Sequence, residues 1–355
     1  MPSVKFTFPA NFLWGTSTSS HQVEGNNTNN YWSLWEAEPG RIKTGEVSGI
    51  ACDWWGGRWR EDFKRAADSG QNTLRLSIEW SRIQPKPDSW DESAIDTYRE
   101  MIHGMISLRL RPMVTLHHFT DPIWFTEKGG WENDDAPQLF LKYAQKIVPA
   151  LKSIVKDWVT INEPNMVVFC GYISGHFPPG KTKSIKKAHQ VTVKMIKAHA
   201  SVYEYIHQQQ EDASVGISQN YRDLFPKTKS IVDRFATNAS HKLYNNAIMD
   251  VLSKGSFRYG PYSISLPKAK NTLDFVGLNY YSGNQVHFTF NVNEFLTYPK
   301  GASLSDNGFV ANEPESFYRG LTWASSYGVP VIVTENGVEN DEDTFRREYL
   351  AEHIH

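Results

Sequence analysis

The chain has 355 residues, of which 40% are hydrophobic and 21% are charged, and its formal net charge at pH 7 is −2. These values suit one large soluble domain or two ordinary ones, and the balanced charge gives no electrostatic reason to expect nucleic acid or an anionic membrane as a partner. Two cysteines, Cys52 and Cys170, are too few for a disulfide framework or a zinc site, which predicts a reduced, cytoplasmic protein.

Strand-like and helix-like segments alternate along the chain. The amino terminus lacks the apolar core of a secretory signal, and no apolar run approaches the ~18 residues that a membrane-spanning helix needs. Apolar segments that end in polar residues predict seven strands, at residues 12–19, 73–80, 111–118, 158–161, 214–220, 273–281 and 329–337. Amphipathic or polar segments predict helices at residues 55–69, 91–106, 136–154, 185–209, 231–253, 315–327 and 342–355.

This alternation predicts right-handed βαβ units and a parallel sheet, which makes the fold α/β. No Pro- or Ser-rich linker splits the series, so we expect one domain over residues 1–355. A doubly wound sheet is the main rival, but the glycine-rich phosphate-binding turn that would follow its first strand is missing. Polar residues at the carboxyl ends of the strands are therefore where we look for chemistry.

Arg75 stands in the middle of the apolar segment 73–80. A charged side chain inside a strand is costly to bury unless an opposite charge lies beside it. The position of Arg75 therefore predicts a buried carboxylate partner.

Two glutamates end strand-like segments in the same way. Glu163 follows the apolar run 158–161 and Asn162, and Pro164 stops the strand because proline cannot donate to a strand ladder. Alone, Glu163 is as well explained as a solvated loop residue. Glu335 ends a second strand, and because the two lie far apart in sequence, only a closed barrel or a sharply curved sheet would bring them together. Two such carboxylates are the equipment for glycoside cleavage, in which one protonates the leaving oxygen and the other acts at the anomeric carbon.

The aromatic content of 13%, with 12 Trp, 16 Tyr and 19 Phe, suits the same chemistry. Part of it is ordinary core, but aromatic side chains near polar strand ends also form clefts that stack sugar rings. No cluster of His and Cys has the spacing of metal ligands, so we expect neither a metal nor a cofactor.

Seven motifs follow one another along the chain: Phe12-Leu13-Trp14-Gly15, Gln22-Val23-Glu24-Gly25, Leu74-Arg75-Leu76-Ser77-Ile78-Glu79-Trp80, Thr115-Leu116-His117-His118-Phe119, Thr160-Ile161-Asn162-Glu163-Pro164, Gly277-Leu278-Asn279-Tyr280-Tyr281 and Thr334-Glu335-Asn336-Gly337. In this order they resemble glycoside hydrolase family 1, the β-glucosidase and β-galactosidase group. The resemblance implies a TIM (β/α)8 barrel, of which seven strands are readable here. It also implies a retaining mechanism on a small β-glycoside or oligosaccharide.

The resemblance further implies four residues that carry the chemistry. Glu335 would be the nucleophile, kept ionised by Arg75 and hydrogen-bonded by the hydroxyl of Tyr281. Glu163 would be the acid and then the base, with a pKa raised by the nearby charge of Glu335. That pKa would fall once the charge of Glu335 is consumed in the glycosyl ester.

A second group of residues would hold the substrate. By the resemblance, these are Asn162 at the 2-hydroxyl, Gln22 and His118 near the 3-hydroxyl, Asn279 on the acid side of the pocket and Phe309 against the leaving group. A lone histidine is more often a core residue, but the position of His118 at a strand tip beside Phe119 favours the sugar, whereas His117 is taken as structural.

The resemblance stops at the seventh strand. The family's eighth strand, with its Trp and Glu-Trp ligands for the 4- and 6-hydroxyls, has no counterpart after Glu335. A barrel without that unit would expose two sheet edges, which a second copy of the chain could cover. Three functions stay open at this point: a retaining β-glycosidase, a catalytically impaired sugar-binding barrel, and a 6-phospho-β-glycosidase.

Overall fold

Seven parallel strands form a nearly closed barrel in this computed structural model, which describes residues 7–289 and 292–355. The strands pair in chain order, and the two end strands lie near each other without pairing. The barrel strands are β1 (Gly15–Ser17), β2 (Thr73–Ser77), β3 (Arg111–His117), β4 (Asp157–Asn162), β5 (Ser214–Pro226), β8 (Phe275–Val286) and β10 (Val331–Asn336). Outside them lie the hairpin β6 (Ser256–Tyr259) and β7 (Tyr262–Ser265), and β9 (Leu296–Thr297), which pairs with β8. The prediction of a TIM-type barrel with seven strands is confirmed.

Helices surround this sheet. They are α1 (Ser20–Val23), α2 (Tyr31–Glu36), α3 (Trp59–Asp68), α4 (Trp80–Ile83), α5 (Glu92–Ser107), α6 (Ile123–Glu127), α7 (Ala136–Leu151), α8 (Pro164–Val168), α9 (Ile185–Gln209), α10 (Ile231–Ser240), α11 (Ala247–Lys254), α12 (Val292–Phe295), α13 (Pro314–Ser325) and α14 (Thr344–Ile354). In residues 7–289 and 292–355, no helix combines the length and the apolar character needed to cross a membrane.

The core lies between the sheet and the long helices. All six residues of β4 are buried, because helices cover the outer face of a parallel barrel and side chains fill its interior. Asp91 caps the start of helix α5, where its carboxylate accepts a hydrogen bond from the amide of Ala94, and Gly255, which has a positive φ, caps the end of α11. This packing fixes the carboxyl ends of the strands, where the loops gather.

Several sequence predictions need correction. The helix predicted at residues 231–253 is divided into α10 and α11 by a π-helical turn, His241–Asn246. Strands β5 and β8 run past their predicted ends to Pro226 and Val286, because they continue to pair with each other beyond the rim of the barrel. The hairpin of β6 and β7 was not predicted.

The last helix also differs from the prediction of a polar helix. Helix α14 buries Tyr349, which is 0% exposed, and His353, whose ring packs against those of Tyr280 and Phe317. Tyr349 and His353 are four residues apart, so they share one face of the helix. This one buried face is enough to dock an otherwise polar helix against the barrel.

Candidate active site

Arg75 is the centre of the polar cluster inside the barrel. Its Nη1 donates to Oε1 of Glu335 at 2.7 Å, its Nη2 to Oδ1 of Asn162 at 2.6 Å, and its Nε to Oγ1 of Thr115 at 2.9 Å. Arg75 and Glu335 are both well shielded from solvent, with side-chain exposures of 4% and 13%. Glu335 is therefore the carboxylate partner that the position of Arg75 in its strand requires.

Glu335 has a second donor and a neighbouring ring. The hydroxyl of Tyr281 donates a short hydrogen bond to its Oε2, and Nε2 of His118 lies 3.9 Å from its Oε1. Burial and the nearby carboxylates hold the pKa of Tyr281 well above its ordinary value, so the hydroxyl keeps its proton. The carboxylate of Glu335 is thus contacted by both a guanidinium and a phenol hydroxyl.

A local irregularity in β10 lets adjacent residues reach the interior. The register with β8 shifts between Val333 and Glu335, so that Thr334 is an additional residue on the β10 side. Thr334 donates to Oδ1 of Asn279 at 2.6 Å, while Glu335 meets Arg75. Bulges of this kind re-aim side chains and are frequent next to active sites.

Glu163 lies at the tip of β4 and is 4% exposed. Its backbone has φ +45°, in the left-handed region that non-glycine residues rarely adopt. Its Oε1 accepts hydrogen bonds from Nδ2 of Asn279 at 2.8 Å and of Asn220 at 3.0 Å. Backbone strain of this type is concentrated at functional sites, which supports a role for Glu163.

Burial, followed by the charge of Glu335, raises the pKa of Glu163 to about 7, against the lowering effect of Asn220, Asn279 and Arg75. We expected the charge of Glu335 to be the cause, but the larger one is burial. A pKa raised into this range allows Glu163 to hold a proton near neutral pH and to donate it.

Asn220 is the residue that sequence reasoning missed. Its own amide oxygen accepts from the hydroxyl of Tyr244 at 2.7 Å, and its carbonyl accepts from Nδ2 of Asn165 at 2.8 Å, so its orientation is fixed. A signal was available, because Asn220 ends a predicted strand as Asn162 and Asn279 do. Its side chain contacts the carboxyl group of Glu163 in the same manner as Asn279.

Asn162 and Asn279 are joined to each other and to the charged residues. Nδ2 of Asn279 lies 3.2 Å from Oδ1 of Asn162, which also accepts from Arg75. Nδ2 of Asn162 is buried and makes no hydrogen bond to any residue in 7–289 and 292–355. A buried amide donor without a protein partner is suited to a polar group of a ligand, such as a sugar hydroxyl.

His118 is buried beside the pair. Burial and the charge of Arg75 hold its pKa well below the ordinary value, so the ring is neutral at pH 7. Its Nδ1 is buried and has no hydrogen-bond partner among the described residues. Phe119, the next residue, has φ +70°. Nε2 of His117, by contrast, lies 3.0 Å from Oδ1 of Asp121.

Gln22 and Phe309 contact other parts of the chain. Gln22 is exposed, and its Oε1 accepts from Oγ of Ser19 at 2.7 Å. Phe309 is 63% exposed, and the ammonium group of Lys43 lies 5.2 Å from the centre of its ring. Within the described part of the chain, no hydrogen bond connects either side chain to Glu163 or Glu335. Their substrate-binding roles stay predictions.

No group of three or more His, Cys, Asp and Glu residues in the described ranges is arranged to hold a metal ion. The cluster instead offers an ionised carboxylate, a second carboxyl group near its pKa at neutral pH, and several amide groups between them. One acid and one carboxylate joined by a shared set of amide groups are the groups that hydrolyse glycosidic bonds.

Comparisons with known proteins agree with this geometry. The sequence model of glycosyl hydrolase family 1 matches residues 4–355. A 1,4-beta-D-glucan glucohydrolase from Thermotoga neapolitana is 29% identical over 382 residues, which cover 98% of this chain and 88% of the relative. The structure of a beta-glycosidase from Pyrococcus horikoshii is 35% identical, with a TM-score of 0.88 over 98% of this chain and 80% of that one.

The structure of a beta-glucosidase from Thermotoga maritima in complex with deoxynojirimycin superposes with a TM-score of 0.89, at 28% identity over 98% of this chain and 84% of that one. The solved relative thus holds a sugar-like ligand on the same fold. The chain belongs to glycosyl hydrolase family 1, and it is a glycoside hydrolase of the β-glycosidase type.

Proposed function

We propose that the enzyme is a retaining β-glucosidase that hydrolyses terminal β-glucosides through a covalent glycosyl-enzyme. The observation that carries the proposal is the contrast between its two carboxyl groups. Glu335 faces the guanidinium of Arg75 and the hydroxyl of Tyr281, whereas Glu163 is buried among amide donors with a pKa of about 7. Two carboxyl groups in such different surroundings take different roles.

In the first step Glu335 attacks the anomeric carbon of the sugar as the bond to the leaving oxygen breaks. Glu163 gives its proton to that oxygen, so the leaving group departs as a neutral alcohol or phenol. The negative charge of Glu335 is consumed in the ester, and Glu163 is left as a carboxylate.

In the second step Glu163 accepts a proton from water while the water oxygen attacks the anomeric carbon. The ester bond to Glu335 breaks, and the sugar leaves with the same anomeric configuration that it had in the substrate. Loss of the Glu335 charge in the first step removes one of the two causes that raise the pKa of Glu163, which makes the base available for the second.

The other buried groups would bind the sugar. The unpaired Nδ2 of Asn162 is a donor for the 2-hydroxyl, whose hydrogen bonds strengthen in the transition state, and the neutral ring of His118 is suited to a hydroxyl close to Glu335. Phe309 at the surface would stack an aryl leaving group.

The proposal is tested with 4-nitrophenyl β-glucoside and with the Glu335→Gln variant as a control. We expect turnover by the wild type, loss of at least ~10³-fold in the variant, and β-glucose as the first product seen by proton NMR. Release of α-glucose would exclude retention. Saccharide binding without turnover would instead mean a sugar-binding barrel, and a preference for the 6-phosphorylated substrate would mean a phospho-glycosidase.

A further inference from the structure

Arg222 lies on the strand that carries Asn220, beyond the acid Glu163. It stands on β5 two residues after Asn220, the residue that donates to Glu163. Tyr244 joins the two positions, since its hydroxyl donates to Asn220 at 2.7 Å and also interacts with the Arg222 side chain. Because β5 runs toward the open end of the barrel, Arg222 lies farther out than Asn220.

The backbone at Arg222 is fixed from both sides. Its amide donates to Oδ1 of Asn245 at 3.2 Å, and its carbonyl accepts from Nδ2 of the same residue at 2.8 Å. Its Nη1 donates to Oδ1 of Asn284, on β8, at 2.8 Å. The guanidinium is therefore held in place without a ligand.

The charge of Arg222 has no protein counterpart. In residues 7–289 and 292–355, no carboxylate oxygen lies within 4.0 Å of its guanidinium, although the side chain is half-buried. Its titratable neighbours are Tyr244, Tyr298 and Cys170. Burial raises the pKa of the Cys170 thiol to about 11 and also raises the pKa of Tyr244. Neither this thiol nor the Tyr244 hydroxyl is therefore anionic at neutral pH.

Two other shielded arginines differ from Arg222 because each has a carboxylate partner. Arg75 is paired with Glu335 and Arg82 with Glu24, each at 2.7 Å. A guanidinium taken partly out of water without an anion is unfavourable, and binding an oxyanion relieves that cost. The planar group has five N–H donors, which match a carboxylate or a similar oxyanion in a forked geometry.

The direction of the cleft indicates which part of a substrate would reach Arg222. Glu163 gives its proton to the leaving oxygen, so the leaving group extends from the Glu163 side of the sugar toward the carboxyl end of the barrel, the direction in which β5 carries Arg222 past Asn220. We propose that Arg222 binds a negatively charged substituent of the leaving group, so that the enzyme prefers β-glycosides with anionic aglycones. This assignment rests on the proposed function, because the role of Glu163 sets the direction.

The test compares two ligands that differ only in charge, the carboxyphenyl and carbamoylphenyl 1-thio-β-glucosides, as meta and para isomers. Their sulfur linkage resists hydrolysis, so calorimetry measures affinity without turnover. We expect the wild type to bind one carboxylate isomer about 10-fold or more tightly than its amide, with the ratio falling as salt is added. Arg222→Met should bring that ratio close to one.

Arg258→Met is the matched control, because Arg258 is exposed on the hairpin of β6 and β7, and it should keep the wild-type ratio. If Arg222→Met does not fold, Arg222→Gln is measured in its place. Equal affinities in the wild type, a preference that survives loss of Arg222, or no binding of any isomer would overturn the proposal.

Hydrolysis of neutral 4-nitrophenyl β-glucoside, measured in parallel, separates the two claims. Turnover without a carboxylate preference would refute the role of Arg222 and leave the glycosidase intact. A carboxylate preference that depends on Arg222, in a protein without turnover, would support this anion site and refute the proposed hydrolysis.

Discussion

Replacing Glu335 by Gln should lower the pKa of Glu163. Burial and the Glu335 charge are the two largest causes that raise this pKa to about 7, and the variant removes only the second. The sign follows directly, because removing a neighbouring negative charge makes the ionised form of Glu163 less unfavourable. Arg75, no longer neutralised by Glu335, acts in the same direction.

The size of the shift follows from Coulomb's law. Two unit charges about 5–5.5 Å apart, the separation typical of retaining pairs, interact by about 3 kcal/mol at an effective dielectric constant of about 20, which corresponds to about 2 pKa units. We therefore expect the pKa of Glu163 to fall to about 5 in the variant. It should stay above 4.5, the ordinary value for glutamate, because the residue remains buried.

Carbon-13 NMR of side-chain carboxyl groups in glutamate-labelled protein measures this pKa without any turnover. The Glu163→Gln variant assigns the resonance, and Glu132→Gln, at a half-buried carboxylate paired with Lys181, controls for a change of net charge. A pKa of Glu163 that is the same in the wild type and in the Glu335→Gln variant would refute the electrostatic coupling on which the proposed two-step mechanism depends.

Two further substitutions test the supports of the pair. Asn220→Ala removes a hydrogen bond that lowers the pKa of Glu163, so the alkaline limb of kcat/KM should move up by roughly 0.5–1 pH unit, and an unchanged limb would contradict the contact. Tyr349 accepts from Asn336 at 3.0 Å and donates to the carbonyl of Tyr281 at 2.7 Å. Tyr349→Phe should therefore reduce kcat about 5- to 10-fold with little change in KM. If the Tyr280→Phe control loses the same fraction of kcat, the effect comes from a general packing defect.

Much of the barrel follows from the sequence, because its signals are local. The apolar runs that end in polar residues mark β2, β3, β4 and β10 to within a few residues. Arg75 also reveals its partner in advance, since an arginine inside a strand must be balanced by an anion. The strand-end positions of Glu163 and Glu335 single out the two residues, but their pairing in space depends on closure of the sheet, and their separate roles came from the family motifs.

The remaining features are set by three-dimensional packing. The bulge at Thr334 depends on the register between β10 and β8, which no periodicity in β10 alone specifies. The dominance of burial in the pKa of Glu163 depends on how completely the loops cover it. Arg222 could not be recognised as unpaired, because the absence of a nearby carboxylate is a property of the folded surroundings.

The polar cluster joins strands whose backbones do not all pair with one another. β1 and β10 end the sheet without forming a ladder between them. Arg75 nevertheless donates to Ser17 on β1 at 3.2 Å and to Glu335 on β10 at 2.7 Å, and Asn162 on β4 accepts from the same guanidinium. One buried cation thus spans the gap between the end strands from inside the barrel. The same side chain forms the ion pair with Glu335 and links its strand to β1, so the position of Glu335 and its charge pairing depend on one residue.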